Sequence, residues 1–138
     1  MAWVTPKTDW VSSDYYNFAD LNRVENNANE IAALIATFTN PITLDSVNTS
    51  RDNTSIEFYD SLNRIENNIL AFAIYLPLVW VTPKTNWASL SNFDYSDANR
   101  LEGNLLALYN MINNIIAEFR YCGQFGGAYY AGQDCTYL

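Results

Sequence analysis

Three glutamates recur at one place in a phrase that the chain carries three times. The copies read Phe18-Ala-Asp-Leu-Asn-Arg-Val-Glu-Asn-Asn27, Tyr59-Asp-Ser-Leu-Asn-Arg-Ile-Glu-Asn-Asn68 and Tyr95-Ser-Asp-Ala-Asn-Arg-Leu-Glu-Gly-Asn104. Glu25, Glu66 and Glu102 are the only acidic residues present at the same place in all three. Two carboxylates held about 5–10 Å apart can hydrolyse a glycoside, so that is the chemistry to weigh first. The chain has no histidine, which removes the commonest general base and metal ligand and excludes a Ser/His/Asp arrangement. It has no P-loop and no Gly-x-Gly-x-x-Gly. Cys122 and Cys135 form no Cys-x-x-Cys pair, so zinc would need two further ligands from scattered carboxylates. In an oxidising environment they could close the tail as a disulfide, whereas two free thiols are the default for a protein assembled in cytoplasm. An active site is one unsymmetrical cluster, whereas a residue written three times suits three equivalent structural units. The glutamates are therefore expected to pair between helices with arginine or asparagine side chains. No enzyme activity, metal or cofactor is expected.

The elements that must position these residues follow from the same repetition. Asn63 lies 41 residues after Asn22, and Asn99 lies 77 after it. Leu21, Val24, Ala28, Ile31, Ile35 and Phe38 alternate at spacings of three and four, an apolar seam on a helix over about 18–38. An offset of 41 carries the first five onto Leu62, Ile65, Ile69, Phe72 and Leu76, predicting a helix over about 59–76. An offset of 77 gives Ala98, Leu101, Leu105, Leu108, Ile112 and Ile115, extended by Phe119, on a helix over about 95–120. Leu106, Met111 and Ile116 lie off that seam, so the third helix should be the most buried. Asn17 and Asp94 stand as N-caps, with Asp20 and Asp97 three residues on, and Tyr16 and Phe93 at staple positions. Asp20 with Arg23, Asp97 with Arg100, and Asp60 with Arg64 fall at helical pair spacings. Such pairs contribute only about 0.2–0.5 kcal/mol on a surface, so each arginine should also reach something else, such as carbonyls of its own arm. Asn27, Asn68 and Asn104 lie beside the seam, placed to bond across it or to hold an arm.

Trp3-Val-Thr-Pro-Lys-Thr-Asp-Trp10 returns as Trp80-Val-Thr-Pro-Lys-Thr-Asn-Trp87. Proline pushes the residue before it out of helical geometry, so each reads as an extended arm. Its tryptophans (Trp3, Trp10, Trp80 and Trp87) should clamp the helix that follows, in preference to forming a sugar-binding platform. In the middle copy Leu44 and Arg51 stand where the tryptophans would, so that copy reads as degenerate. Linkers of about 20 residues exceed what a helical hairpin needs and can return the chain to its starting end. The expected fold is mainly α: a three-helix bundle of three arm-plus-helix repeats, pseudo-threefold, with parallel order favoured over up-down-up. Repeats over about 2–38, 44–76 and 79–120 make a bundle of residues 1–120. Residues 121–138 form a Gly/Tyr-rich tail or small hairpin, with Phe125, Tyr129, Tyr130 and Tyr137 as partner-docking rings.

Composition sets outer limits. Hydrophobic residues at 49 % and charged ones at 16 % argue against a disordered acidic chain. The net charge of −8 leaves no basic patch for nucleic acid or an acidic membrane surface, and three of the five arginines sit inside the repeated phrases. No apolar run approaches the roughly 18 residues of a membrane span. The start carries no basic and apolar leader, so no signal peptide is expected.

The arm Trp-Val-Thr-Pro-Lys-Thr-Asp-Trp, followed by Tyr-Tyr-Asn-Phe-x-Asp-Leu-Asn-Arg-Val-Glu-Asn-Asn, resembles a repeat module of phage and prophage virion proteins from Gram-positive bacteria. The resemblance covers residues 2–35 and 79–112 well and 56–76 partly. It implies a virion structural protein assembled in the host cytoplasm, in the tail, baseplate or fibre attachment, with other virion proteins and copies of itself as partners. A capsid decoration or head fibre, and a glycan-binding receptor module, are the alternatives. The resemblance implies no ligand-site residues. Asn22, Arg23 and Glu25, with Asn63, Arg64, Glu66, Asn99, Arg100 and Glu102, are the expected structural core of the repeats.

Overall fold

The computed structural model describes residues 2–55, 59–73, 81–89 and 91–124, with residues 119–124 described by backbone alone. Among the described residues the protein is mainly helical, with three α-helices and no strand. These are α1 (Phe18–Ala36), α2 (Tyr59–Leu70) and α3 (Tyr95–Gln124).

The helix starts follow from their caps. The Asn17 side chain accepts from the Ala19 N–H at 2.9 Å, and Asp20 reaches back to the Asn17 N–H at 2.8 Å, a closed capping box. Asp94 does the same for α3: its carboxylate accepts from the Ser96 N–H at 2.9 Å, and Asp97 accepts the Asp94 N–H at 2.9 Å. The Ser96 hydroxyl and then the Asp97 N–H hold the Asp94 carboxyl below its ordinary pKa. The ends differ from the sequence expectation. Helix α1 stops at Ala36, where the Thr37 hydroxyl takes the Leu34 carbonyl at 2.6 Å. Helix α2 stops at Leu70, six residues early, where Phe72 N–H turns to the Ile69 carbonyl at 3.1 Å in a tightened last turn. Helix α3 runs four residues beyond Arg120 into the stretch assigned to the tail. Leu76, Cys135 and the four docking rings Phe125, Tyr129, Tyr130 and Tyr137 lie outside the described residues.

The seams of all three helices meet in one core. It contains Leu21, Val24, Ala28, Ile31 and Ile35 from α1, Ile65, Ile69 and Phe72 from α2 and its last turn, and Leu101, Leu105, Leu108 and Ile112 from α3. Burying one such side chain stabilises by roughly 1.5–3 kcal/mol, so this stripe is the main source of stability. Leu62 and Ile115 are only half-buried. Leu106, Met111 and Ile116 of α3 are half-buried as well.

Candidate functional site

The residues with chemistry gather where arms cross helices. Each recurrent glutamate is 1 % exposed, and an isolated carboxylate at such depth would cost several kcal/mol. Each is met instead by an arginine from another helix. Arg23 grips Glu102 through Nε and Nη2 at 2.5 and 2.8 Å. Arg64 grips Glu25 at 2.5 and 3.3 Å. Arg100 grips Glu66 at 2.8 and 2.7 Å. The pairs thus run from α1 to α3, from α2 to α1 and from α3 to α2, so every helix both gives and receives one. The bidentate fork is the geometry for which arginine is suited and lysine is not.

A second donor completes each carboxylate. The Trp10 indole N–H reaches Glu102 at 2.7 Å, and the Trp87 indole reaches Glu66 at 2.6 Å. Backbone N–H groups of Lys7 and Lys84 also approach Glu102 and Glu66, at 3.4 and 2.8 Å. At Glu25 the indole is replaced by a cation. Arg51, whose side chain is wholly buried, sits 2.5 Å from the Glu25 Oε2. The middle copy has therefore exchanged an indole for a cation, and Arg51 meets Glu25 by charge where Trp10 and Trp87 donate hydrogen bonds.

The asparagines tie the arms down by pairing with both the N–H and the C=O of one residue, as a neighbouring strand would. Asn27 pairs with Val4 at 3.0 and 2.7 Å, Asn68 with Asp45 at 2.8 and 3.3 Å, and Asn104 with Val81 at 2.9 and 2.6 Å. These hold the start of each arm on its own helix rather than bonding across the seam. Asn22, Asn63 and Asn99 hold the far ends in the same way, on Arg51, Trp87 and Trp10. Each arm therefore bridges two helices.

This corrects the expected destination of the clamps. Trp10 closes on α3 and Trp87 on α2, not on the helices that follow them, because the buried carboxylate that needs an indole donor lies on the adjoining helix. Trp3 likewise stacks on Tyr109 of α3, with ring centroids 3.8 Å apart. Trp80 lies outside the described residues. Of the three repeated arginines, Arg64 is the one whose described contacts also include a carbonyl of its own arm, that of Ser46. Arg23 and Arg100 add Asp20 and Asp97 at 2.9 and 2.8 Å.

The fields follow this geometry. The hydrogen bond to Glu102 holds the Arg23 guanidinium well above its ordinary pKa, against the opposing effect of burial. Burial works against the charge of Arg100, yet Glu66 and Asp97 keep its pKa raised. Burial also pushes the Tyr16 phenol well above its ordinary value, with Glu102 and Asp20 adding to the shift. Chemically, both oxygens of each acid are engaged among the described residues, by arginine together with an indole or a second arginine. Among the described residues, no three Cys, Asp or Glu side chains cluster as a metal site. No described helix is long and apolar enough to cross a membrane.

Sequence reasoning placed the glutamates and arginines but missed Asn22, Asn63 and Asn99 as arm clamps and Arg51 as a donor. The signal was present: an asparagine just before each of the three repeated arginines, and a lone arginine in the slot of a tryptophan. Comparison with protein-family models, with curated proteins and with solved structures finds no match to this chain.

Proposed function

We propose that the chain is a non-enzymatic virion structural protein of a tailed phage, serving in the tail, baseplate or fibre attachment in several copies. In this reading three arm-plus-helix units stand in parallel around a pseudo-threefold axis. The observation that carries it is the occupancy of the acids. All three repeated glutamates, the residues best suited to hydrolysis, are buried and engaged by Arg23, Arg64 and Arg100 together with Trp10, Trp87 and Arg51. Such a set of ion pairs holds helices in register and engages these acids with the protein's own donors. Parallel order is supported by the pairs themselves, since Arg23, Arg64 and Arg100 and their glutamates all lie in the first three turns of their helices. The placement in a virion is supported by the arm and Asn-Arg-x-Glu resemblance.

The glycan-binding alternative needs exposed indoles. Trp10 and Trp87 are 6 % and 4 % exposed, with nitrogens already bonded to carboxylates, so neither offers a sugar platform. The head-fibre alternative shares the same architecture and differs only in place. Mass spectrometry of purified particles from the phage or induced prophage that encodes the chain tests the proposal. The chain should be recovered at many copies per particle. Its absence from particles, with abundance in the lysed cells, would sink the reading.

A further inference from the structure

One concavity of about 970 Å³ opens among the first residues of all three helices. Its edge carries Tyr15 at 91 %, Phe18 at 38 %, Tyr59 at 47 % and Tyr95 at 47 % exposure. Such a volume takes several aromatic rings, and four large exposed rings around one hollow mark a contact surface. Deeper in the wall the Tyr16 hydroxyl is buried with no hydrogen-bond partner among the described residues, so an incoming backbone carbonyl would gain a donor there.

We infer that the hollow takes the aromatic segment 125–138 of a second copy of this chain. The argument is one of reach. Helix α3 starts at the hollow with Tyr95 and ends at Gln124, 30 residues later, which is about 45 Å. Fourteen residues follow Gln124, and fully extended they cover at most about 50 Å. On its own chain the segment would use nearly all its length in returning, with none left to lay Phe125, Tyr129 and Tyr130 into the hollow. On a second copy stacked beyond the end of α3 all of it is free to enter. The segment carries no lysine or arginine and one acid, Asp134, so little charge opposes burial of its rings. The contact joins one end of a copy to the opposite end of the next. The contact is heterologous, and with copies stacked end to end along α3 each adds to the last in a row. This inference goes beyond the virion reading and fails separately from it.

Sedimentation velocity of the full chain over a concentration series tests it. The mean mass of the wild type should climb with concentration without settling at a closed size. A rim variant (Phe18→Ser with Tyr59→Ser and Tyr95→Ser) and a tail variant (Tyr129→Ser with Tyr130→Ser and Tyr137→Ser) should each stay monomeric while keeping helical circular dichroism. Mixed together they should form a heterodimer and nothing larger, since one intact hollow then meets one intact tail. A synthetic peptide of residues 125–138 should return wild-type oligomers to monomers, which guards against a rim variant that fails to fold. A monomeric wild type, a closed dimer, or oligomers indifferent to the peptide would each overturn the inference. A monomer that is nevertheless found in purified particles would overturn this contact and leave the virion reading standing.

Discussion

Replacing Arg100 by methionine removes the cation that grips both oxygens of Glu66 and also pairs with Asp97. Glu66, 1 % exposed, then keeps only neutral donors, the Trp87 indole at 2.6 Å and the Lys84 N–H at 2.8 Å. Removing one partner of a buried ion pair costs about 3–5 kcal/mol, because the remaining charge is stranded. The same change at Arg64 strands nothing, since Glu25 retains Arg51 at 2.5 Å. Its loss should be that of charged hydrogen bonds whose acceptor keeps a cation, about 1.5–3 kcal/mol. Burial at the two sites is alike: the arginine side chains are 13 % and 18 % exposed, and both glutamates 1 %. With a urea slope of about 2 kcal/mol per molar, midpoints should fall by about 2 M for Arg100→Met and about 1 M for Arg64→Met. Urea unfolding followed by far-UV circular dichroism reads both. Equal losses, or a greater loss at Arg64, would refute the argument that Arg51 supplies a second charge to Glu25.

Three further expectations use the same unfolding assay. Arg51→Trp puts an indole where Trp10 and Trp87 stand in the other arms and should cost about 1 kcal/mol less than Arg51→Ala, which leaves Glu25 Oε2 only its 3.3 Å contact from Arg64; the reverse order would deny that the slot is shared. Gly103 lies inside α3 with open space where a Cβ would go, so Gly103→Ala should stabilise by about 0.5–1 kcal/mol, and a loss would show an unrecognised contact there. The raised pKa of buried Tyr16 means that folding favours its neutral form. That stability is complete below the ordinary value of about 10 and is lost as pH rises from there toward the folded value. Wild type should therefore weaken more than Tyr16→Phe between about pH 9 and about pH 11, whereas parallel losses would place the phenol in water.

The helix starts were legible because they are local. Asn17 and Asp94 bond within three residues of themselves, and short polar caps with an acid three positions on announce such bonds in sequence. The seam was legible for a similar reason: a spacing of three and four admits one buried face, and Val24, Ile31, Ile35, Ile65, Leu105 and Leu108 occupy it. What escaped was decided between elements. Nothing in the arm says which helix its tryptophan will meet, because that depends on where a buried carboxylate lacks a donor. Arg51 read as a loss, because a substitution that changes shape but keeps a hydrogen-bond donor looks like decay until its acceptor, Glu25, is in view. Helix α3 outruns its expected end because Tyr121 to Gln124 continue the helix up to the glycine-rich stretch, and one Gly123 near a helix end is tolerated.

The order of the helices underlies the whole account, and electron–electron distance measurements between spin labels reach it directly. With Cys122 and Cys135 changed to serine, labels would replace Ala19 at the start of α1 and either Ser96 at the start or Asn114 toward the end of α3; all three positions are exposed. Neighbouring helices pack about 8–10 Å apart, so the Ala19 to Ser96 pair should lie within about 20 Å once label arms are included. The 18 residues from Ser96 to Asn114 add about 27 Å along the helix, so the Ala19 to Asn114 pair should lie beyond about 27 Å. A long distance to Ser96 with a short one to Asn114 would place α3 against α1 in the opposite sense, and the proposed parallel set of arm-plus-helix units would be wrong.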